Sequence, residues 1–328
     1  TPKPSSAASD VYKRQQWKQR LPASPIDPDT AIAEALVELK QPEAALQQLA
    51  PHRQAIESDV RTQPQAAVTL ARAMIALDNA ANARTLLQPL LQDASGRRMW
   101  QSIAQTTAST INEAQAWCRP IEEATPPDAW DERMTLLTLQ TQLARRFEDA
   151  AALTAIADKL QKYLADRPSD IDALLLSAGI KMQLNQPADA EKALRSVLTT
   201  KPDHPAAAND LACVLITQQR DLDEAEKLVQ ASIKSDPNSA IFQDTLGRVL
   251  LAKSKLVDAQ ASFEAALKLN PDLLEARVGL ARALQQKGDA TAANAELKRV
   301  DAQMKSNPAS ARYVKEEVAA LRASLEQP

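Results

Sequence analysis

The sequence predicts an all-α solenoid of stacked helical hairpins, and three observations predict it. The chain has five glycines against twenty prolines and few aromatic residues. Hairpin-rich β proteins need glycine at their turns, so this balance favours helices joined by short connections. Small and apolar residues recur at steps of one, three and four, the mark of amphipathic helices. An alanine in similar surroundings also returns eight times, at Ala45, Ala83, Ala114, Ala150, Ala190, Ala225, Ala259 and Ala293, with spacings of 38, 31, 36, 40, 35, 34 and 34. A period in this range means stacked supersecondary units, each unable to bury its apolar face alone.

In chain order, the run Asp10-Val11-Tyr12-Lys13-Arg14-Gln15 resembles the translation of a transposon end used in sequencing libraries. Residues 1–15 are therefore read as a scar, and the rest as a fragment of a longer bacterial gene from environmental DNA. A basic disordered tail would read the same way. Residues 16–28 carry Pro22, Pro25 and Pro28 and form an irregular lead-in. Residues 29–167 hold divergent repeats, 168–307 well-matched repeats, and 308–328 a capping helix. In that last stretch Pro308 precedes Val314, Val318, Leu321 and Leu325, which share one helical stripe, while Lys315, Glu316, Glu317 and Arg322 lie off it.

The sharpest unit runs from Ala240 to Pro271, where Leu246, Gly247, Leu250, Ala259, Phe263 and Ala266 mark two helices broken near Lys253–Lys255. Leu246, Gly247, Ala259, Phe263 and Pro271 resemble the tetratricopeptide repeat pattern W-x2-L-G-x2-Y, A-x3-F, P, with Leu250 in place of the Tyr and Gln243 in place of the Trp. The unit before it offers Leu211, Ala212, Leu215, Ala225, Val229 and Pro237, and the unit after it Leu280, Ala281, Leu284, Gly288, Ala293 and Leu297. The unit ending at Pro202 has Ala178, Ala190 and Leu194, but Ser177 and Lys181 depart from the apolar pattern. Pro168, Pro202, Pro237 and Pro271 follow one another at 34, 35 and 34 residues. The resemblance implies a right-handed superhelix of about eight such hairpins with a C-terminal capping helix.

Physical expectations follow. Gly247 and Ala259 should sit where the two helices of a hairpin approach most closely, Leu250 and Phe263 beside that contact, and Ala266 against the next hairpin. Each periodic proline is expected to help start the next helix, where its missing N–H is tolerated. Asp and Asn beside Pro237 and Pro271 suit turn and cap chemistry. The interval of 40 before Ala190 suggests that the helix containing Tyr163 runs on, and the interval of 31 before Ala114 a distorted unit around Gly96. Trp100, Trp117 and Trp130 are expected to fill a poorly matched seam there rather than to cage a ligand.

The catalytic inventory is thin. His52 and His204 stand alone beside prolines, and no HExxH, CxxC, G-x-S-x-G or glycine-rich phosphate loop appears, so neither an enzyme nor a metal or other cofactor is expected. Asp221-x-Asp223-Glu224 lacks the rest of a calcium loop and reads as acids at a helix start, and Glu122-Glu123 as a solvated face. Cys118 and Cys213 fit no ligand spacing and read as packing. A formal charge of −3 gives no reason to expect nucleic acid, and no apolar run approaches a membrane span.

The resemblance then implies a concave face, lined by the first helix of each hairpin, that holds a segment of another protein. The residues expected to point there are Asp172, Leu175, Gly179 and Met182; Ala206, Asn209, Cys213 and Ile216; Ile241, Asp244, Arg248 and Leu251; and Glu275, Val278, Arg282 and Gln285. Asn209, Asp244, Arg248 and Arg282 are the partner-binding candidates. Asn209 could bond a partner's backbone, and Arg248 with Arg282 could meet an acidic side chain or C-terminus. Asp244 and Arg248, four residues apart, could instead pair with each other. Leu175 and Gly179 stand where a carboxylate clamp would need Lys and Asn, which argues against a chaperone-type partner. A non-catalytic scaffold is the leading expectation. A recruiting region of a larger, truncated enzyme and an envelope-assembly (lipo)protein are the alternatives, with compartment (bacterial cytoplasm or periplasm), partner and oligomeric state open.

Overall fold

A computed structural model describes residues 28–306 and 314–326, which fold as helices joined by short turns. The expectations for residues 1–27 and for Pro308 lie outside the described residues. Eight helical hairpins occur among the described residues. They are α1 (Pro28–Glu38) with α2 (Pro42–Leu49), α4 (Pro64–Ala76) with α5 (Ala80–Leu87), α6 (Ala94–Thr107) with α7 (Ile111–Ala124) and α8 (Trp130–Arg146) with α9 (Ala150–Asp166). Then come α10 (Ile171–Gln183) with α11 (Pro187–Thr200), α12 (Pro205–Thr217) with α13 (Leu222–Ser235), α14 (Ala240–Ala252) with α15 (Leu256–Leu269), and α16 (Leu274–Gln286) with α17 (Ala290–Ser306). A short α3 (Arg53–Ser58) follows α2, and α18 (Lys315–Glu326) closes the chain. The chain divides into two compact units, one ending at Ile156 and one beginning at Ala157, so the border falls inside α9.

The turn within a hairpin is the most regular feature. Lys40, Asp78, Glu148, Asn185, Gln219, Ser254 and Gly288 all have left-handed backbone, with φ from 51 to 87°. The next amide in each reaches back over the last helical turn: Gln41 N donates to Leu36 O at 2.8 Å, Gln186 N to Lys181 O at 2.8 Å, Arg220 N to Leu215 O at 3.2 Å, and Lys255 N to Leu250 O at 2.9 Å. This satisfies carbonyls that the helix end would leave open. Six of these seven residues carry a side chain in a conformation that favours glycine, so the turn is imposed by the packing of the two helices it joins.

Two expectations need correction. The four periodic prolines do not occupy first helical turns: Pro168, Pro202, Pro237 and Pro271 each lie three residues before the following helix begins. The helix starts are capped instead by Asp170, His204 and Ser239, whose side chains accept from the amides of Ala173, Ala207 and Phe242. First-turn prolines do occur, at Pro42, Pro64, Pro187 and Pro205. The Asx turns around Pro237 and Pro271 are as expected, with Asp236 accepting from Asn238 N and Asn270 from Asp272 N.

The second correction concerns Ala150, which is exposed. In five of the hairpins the buried alanine lies five residues after the left-handed residue, as Ala45, Ala83, Ala190, Ala259 and Ala293 do. Five residues after Glu148 stands Leu153, which is buried. The interval of 40 is therefore a three-residue misassignment, caused by a leucine at the position alanine holds elsewhere. The helix with Tyr163 is nevertheless long, at 17 residues against 14 for α11, α13 and α15. Tyr163 Oη donates to Asp170 Oδ2 at 2.9 Å, fixing the turn into α10.

In the C-terminal unit Phe263 is fully buried between α14 and α16. A Cβ on Gly247 would come within 2.7 Å of its ring, and one on Gly279 within 2.4 Å. Both helices thus meet the ring through a missing side chain, and Ala266 packs in the same cluster as Ala276 and Leu280. Hairpins are also tied edge to edge by charge. Arg195 grips Glu224 through two hydrogen bonds of 2.8 and 2.9 Å, Arg220 pairs with Glu191, and Lys253 pairs with Asp223 and Glu226. Val314, just before α18, and Val318 and Leu321 within it pack against Leu274, Val278, Ala281, Leu297 and Val300.

The N-terminal unit is less regular. Helices α2 and α5 have eight residues each and end in 3-10 segments, Ala50–His52 and Gln88–Gln92. Gly96 lies so close to the second that a Cβ would overlap Leu90 O at 1.8 Å. The expected seam is filled by Trp100 and Trp117, both fully buried and edge to face at 5.4 Å, with Trp100 Nε1 donating to Trp117 O at 2.8 Å. Trp130 sits half-buried at the start of α8, with the Arg133 guanidinium over its ring. Arg97 is buried and forks onto Glu132 at 2.7 and 3.1 Å while donating to Leu91 O at 2.8 Å.

Candidate functional site

In the C-terminal unit α12, α14 and α16 lie side by side. The same turn of each helix points away from its hairpin partner, because Leu211, Leu246 and Leu280 fix the opposite stripe against that partner. Contacts across this inner face are polar. Cys213 Sγ lies 3.7 Å from Thr245 Oγ1 and 3.9 Å from Arg248 Nη1, which joins α12 to α14.

Asn209 and Asp244 are buried, at 4% and 6% exposure, although both belong to this face. Asn209 donates through Nδ2 to Asp210 Oδ1 at 3.3 Å, but its Oδ1 has no hydrogen-bond partner. Asp244 Oδ1 likewise has none. Buried polar atoms are nearly always satisfied, so two orphaned acceptors on adjacent helices call for explanation. Burial pushes the Asp244 carboxyl up to about 6, with Arg248 opposing and Glu275 and Glu317 adding to the rise. Desolvation also raises Asp210 and the Cys213 thiol.

The four candidates thus have different surroundings. No ion pair joins Asp244 to Arg248 among the described residues, so the local pairing considered above is not made. Arg248 is exposed and leans toward Cys213. Arg282 is met by the chain itself, pairing with Glu317 of α18 at 2.9 Å. Val278 is covered by α18, and Gln285 donates to Ser324 at 3.3 Å, so the inner face of α16 is largely occupied by the cap. Ile241 stays 59% exposed beside Asp244 and Leu251 is half-buried. Leu175 and Met182 pack partly into the core, whereas Ala206 is exposed.

Sequence reasoning did not single out Asp210 or Thr245, which follow Asn209 and Asp244 by one residue and sit at the edge of the same stripe. It did not place Glu317 near the groove either, since nothing in a helical period says where a terminal helix docks. Among the described residues no group of three His, Cys, Asp or Glu side chains is placed to hold a metal ion, and no helix is long and apolar enough to cross a membrane. His204 is used as a helix cap, and His52 Nε2 lies 3.0 Å from Asp29 Oδ2. Both cysteines are free.

The tetratricopeptide repeat-like domain family matches residues 134–273, and a second tetratricopeptide repeat family matches residues 250–325. A TPR repeat-containing protein of Pseudomonas aeruginosa is 29% identical over 130 residues, covering 40% of this chain and 21% of its own. Cellulose synthase operon protein C of Pseudomonas fluorescens is 31% identical over 175 residues, covering 51% of this chain and 13% of its own. The chain thus spans about a fifth or less of the length of these curated relatives. Among solved structures, a tetratricopeptide repeat protein from Parabacteroides merdae superposes with a TM-score of 0.50 at 16% identity, covering 66% of this chain and 86% of its own. With family matches running from 134 to 325 over hairpins of this geometry, the chain belongs to the tetratricopeptide repeat family.

Proposed function

We propose that this chain is a non-catalytic scaffold whose C-terminal unit holds an extended segment of another protein along the inner face of α12 and α14, with Asn209, Asp244 and Arg248 in the groove and Arg282 at its capped end. Membership of the tetratricopeptide repeat family makes it a protein-interaction scaffold in kind. The observation that supports the finer reading is the pair of buried acceptors, Asn209 Oδ1 and Asp244 Oδ1, left without partners beside the exposed Ile241. An extended backbone supplies amide donors at regular intervals, which suits such a face.

The test is capture of the purified chain on arrayed 12-residue peptides. The double variant Asn209→Ala with Ile241→Ala should lose most capture. Val257→Asp, at a still more exposed apolar residue on α15, should keep it. Equal loss in both, or loss in neither, would contradict the assignment. A second reading, an interaction region within a longer protein, is supported by the small share of its relatives that the chain spans. The complete reading frame tests it.

A further inference from the structure

Both orphaned atoms on the inner face are acceptors. Asn209 already uses its amide nitrogen on Asp210, and Asp244 is a carboxylate. What the face lacks is therefore donors. The charges agree. Arg282 is neutralised by Glu317, which leaves Asp210, Asp244 and Glu275 around Arg248 among the described residues of this face. An incoming carboxylate would find Arg248 as its donor and these acids as its neighbours, and like charges so placed are repelled. An incoming cation would meet an acceptor that has lost its water and gained nothing for it.

We propose that the face between α12 and α14 is a receptor for a lysine or arginine side chain carried on an extended protein segment, with Asp244 taking the cation and Asn209 accepting from the segment's backbone. This rests on the groove reading above. Neighbouring helices of this kind lie about 10 Å apart, which about three residues of extended chain span. One backbone amide at Asn209 and one cationic side chain a few residues along thus fit a single segment. Ile241, exposed one helical turn before Asp244, gives an apolar neighbour an adjacent surface.

The reading is opposite in sign to the expectation that Arg248 and Arg282 grip an acidic group. It also carries a pH signature. Asp244 faces Cys213 from α12, Arg248 on its own helix, Glu275 from α16 and Glu317 from α18. Asp244, raised to about 6, gains its proton as pH falls from 7.5 to 5, so cation binding should weaken over that range.

The test uses positional-scanning decapeptide libraries, each with one fixed residue and the rest degenerate, immobilised and probed with the full chain. Libraries with fixed Lys or Arg should retain about tenfold more protein than those with fixed Asp or Glu. Asp244→Asn, which keeps shape and removes charge, should abolish that preference, and Asn209→Ala should lower retention on every library. Far-UV circular dichroism confirms folding. Should Asp244→Asn not fold, Glu275→Gln, at an exposed residue, should cut the preference about twofold. Equal retention of cationic and acidic libraries, or a preference unchanged in Asp244→Asn or in Glu275→Gln, overturns the proposal while leaving the groove reading in place. Retention on none of the libraries overturns the groove reading itself.

Discussion

The hairpins α12 to α17 and the hairpin α6–α7 solve one packing problem in different ways. In the first region helices approach through small residues, the turn adopts a left-handed residue, and Phe263 fills the space between Gly247 and Gly279. In the second the turn at residues 108–110 has no left-handed residue, α5 before it stops after eight residues, and Trp100, Trp117 and the Arg97–Glu132 pair fill what is left. Where repeats match, polar residues are free to appear on the inner face. Where they do not, the large and charged side chains are consumed by closing the seam.

The largest effects should come from those fillers. Phe263→Ala should destabilise the chain by about 3–5 kcal/mol, and Trp100→Ala by a similar amount, in urea titrations. A much smaller loss for Trp100 would mean that the seam is loosely packed and the comparison overstated. Next, Arg97→Met leaves Glu132 without its bidentate partner and should cost about 3 kcal/mol, whereas replacing both residues by apolar ones should recover most of it. Failure of that rescue would assign the cost to lost packing.

A mid-sized effect is expected at Asp244. Its carboxyl is raised to about 6 in the folded chain, above its value of 3.8 when unfolded. The folded state therefore binds this proton more tightly, and its contribution to stability rises as pH falls through 6 and levels off near 4. At pH 7.5 Asp244→Asn should stabilise by on the order of 2 kcal/mol, and at pH 4 the two proteins should be alike. Equal stability at pH 7.5 would show that the buried charge is already compensated. The smallest effect is at the turns. Ser254→Gly should stabilise by about 1 kcal/mol, and Gly288→Ala should destabilise by about as much, because both residues hold positive φ. Thermal denaturation decides this, and a destabilising Ser254→Gly would contradict the turn account.

Much of the fold was legible because tight packing writes itself into residue size. The small residues Gly247, Ala259 and Ala293 and the bulky Phe263 recur at fixed offsets, and the hairpin boundaries at Lys253–Lys255 follow from them. The left-handed turn was not legible, since Lys40, Asp78, Glu148 and Ser254 share no side-chain chemistry and the conformation is imposed from outside. Leu153 hid one register mark by replacing alanine. The inner face was legible as a list of positions, because helical period fixes direction. Its pairings were not: the loss of Arg282 to Glu317 and the covering of Val278 depend on where α18 docks.

The central claim is that the regular hairpins, not the irregular seam, present the binding surface. It is tested most directly by site-specific photocrosslinking with a library peptide that the chain retains. A benzophenone side chain placed at Ile241 should crosslink to that peptide, and one placed at Arg133, exposed on α8, should not. Crosslinking from position 133 and none from 241 would contradict the account.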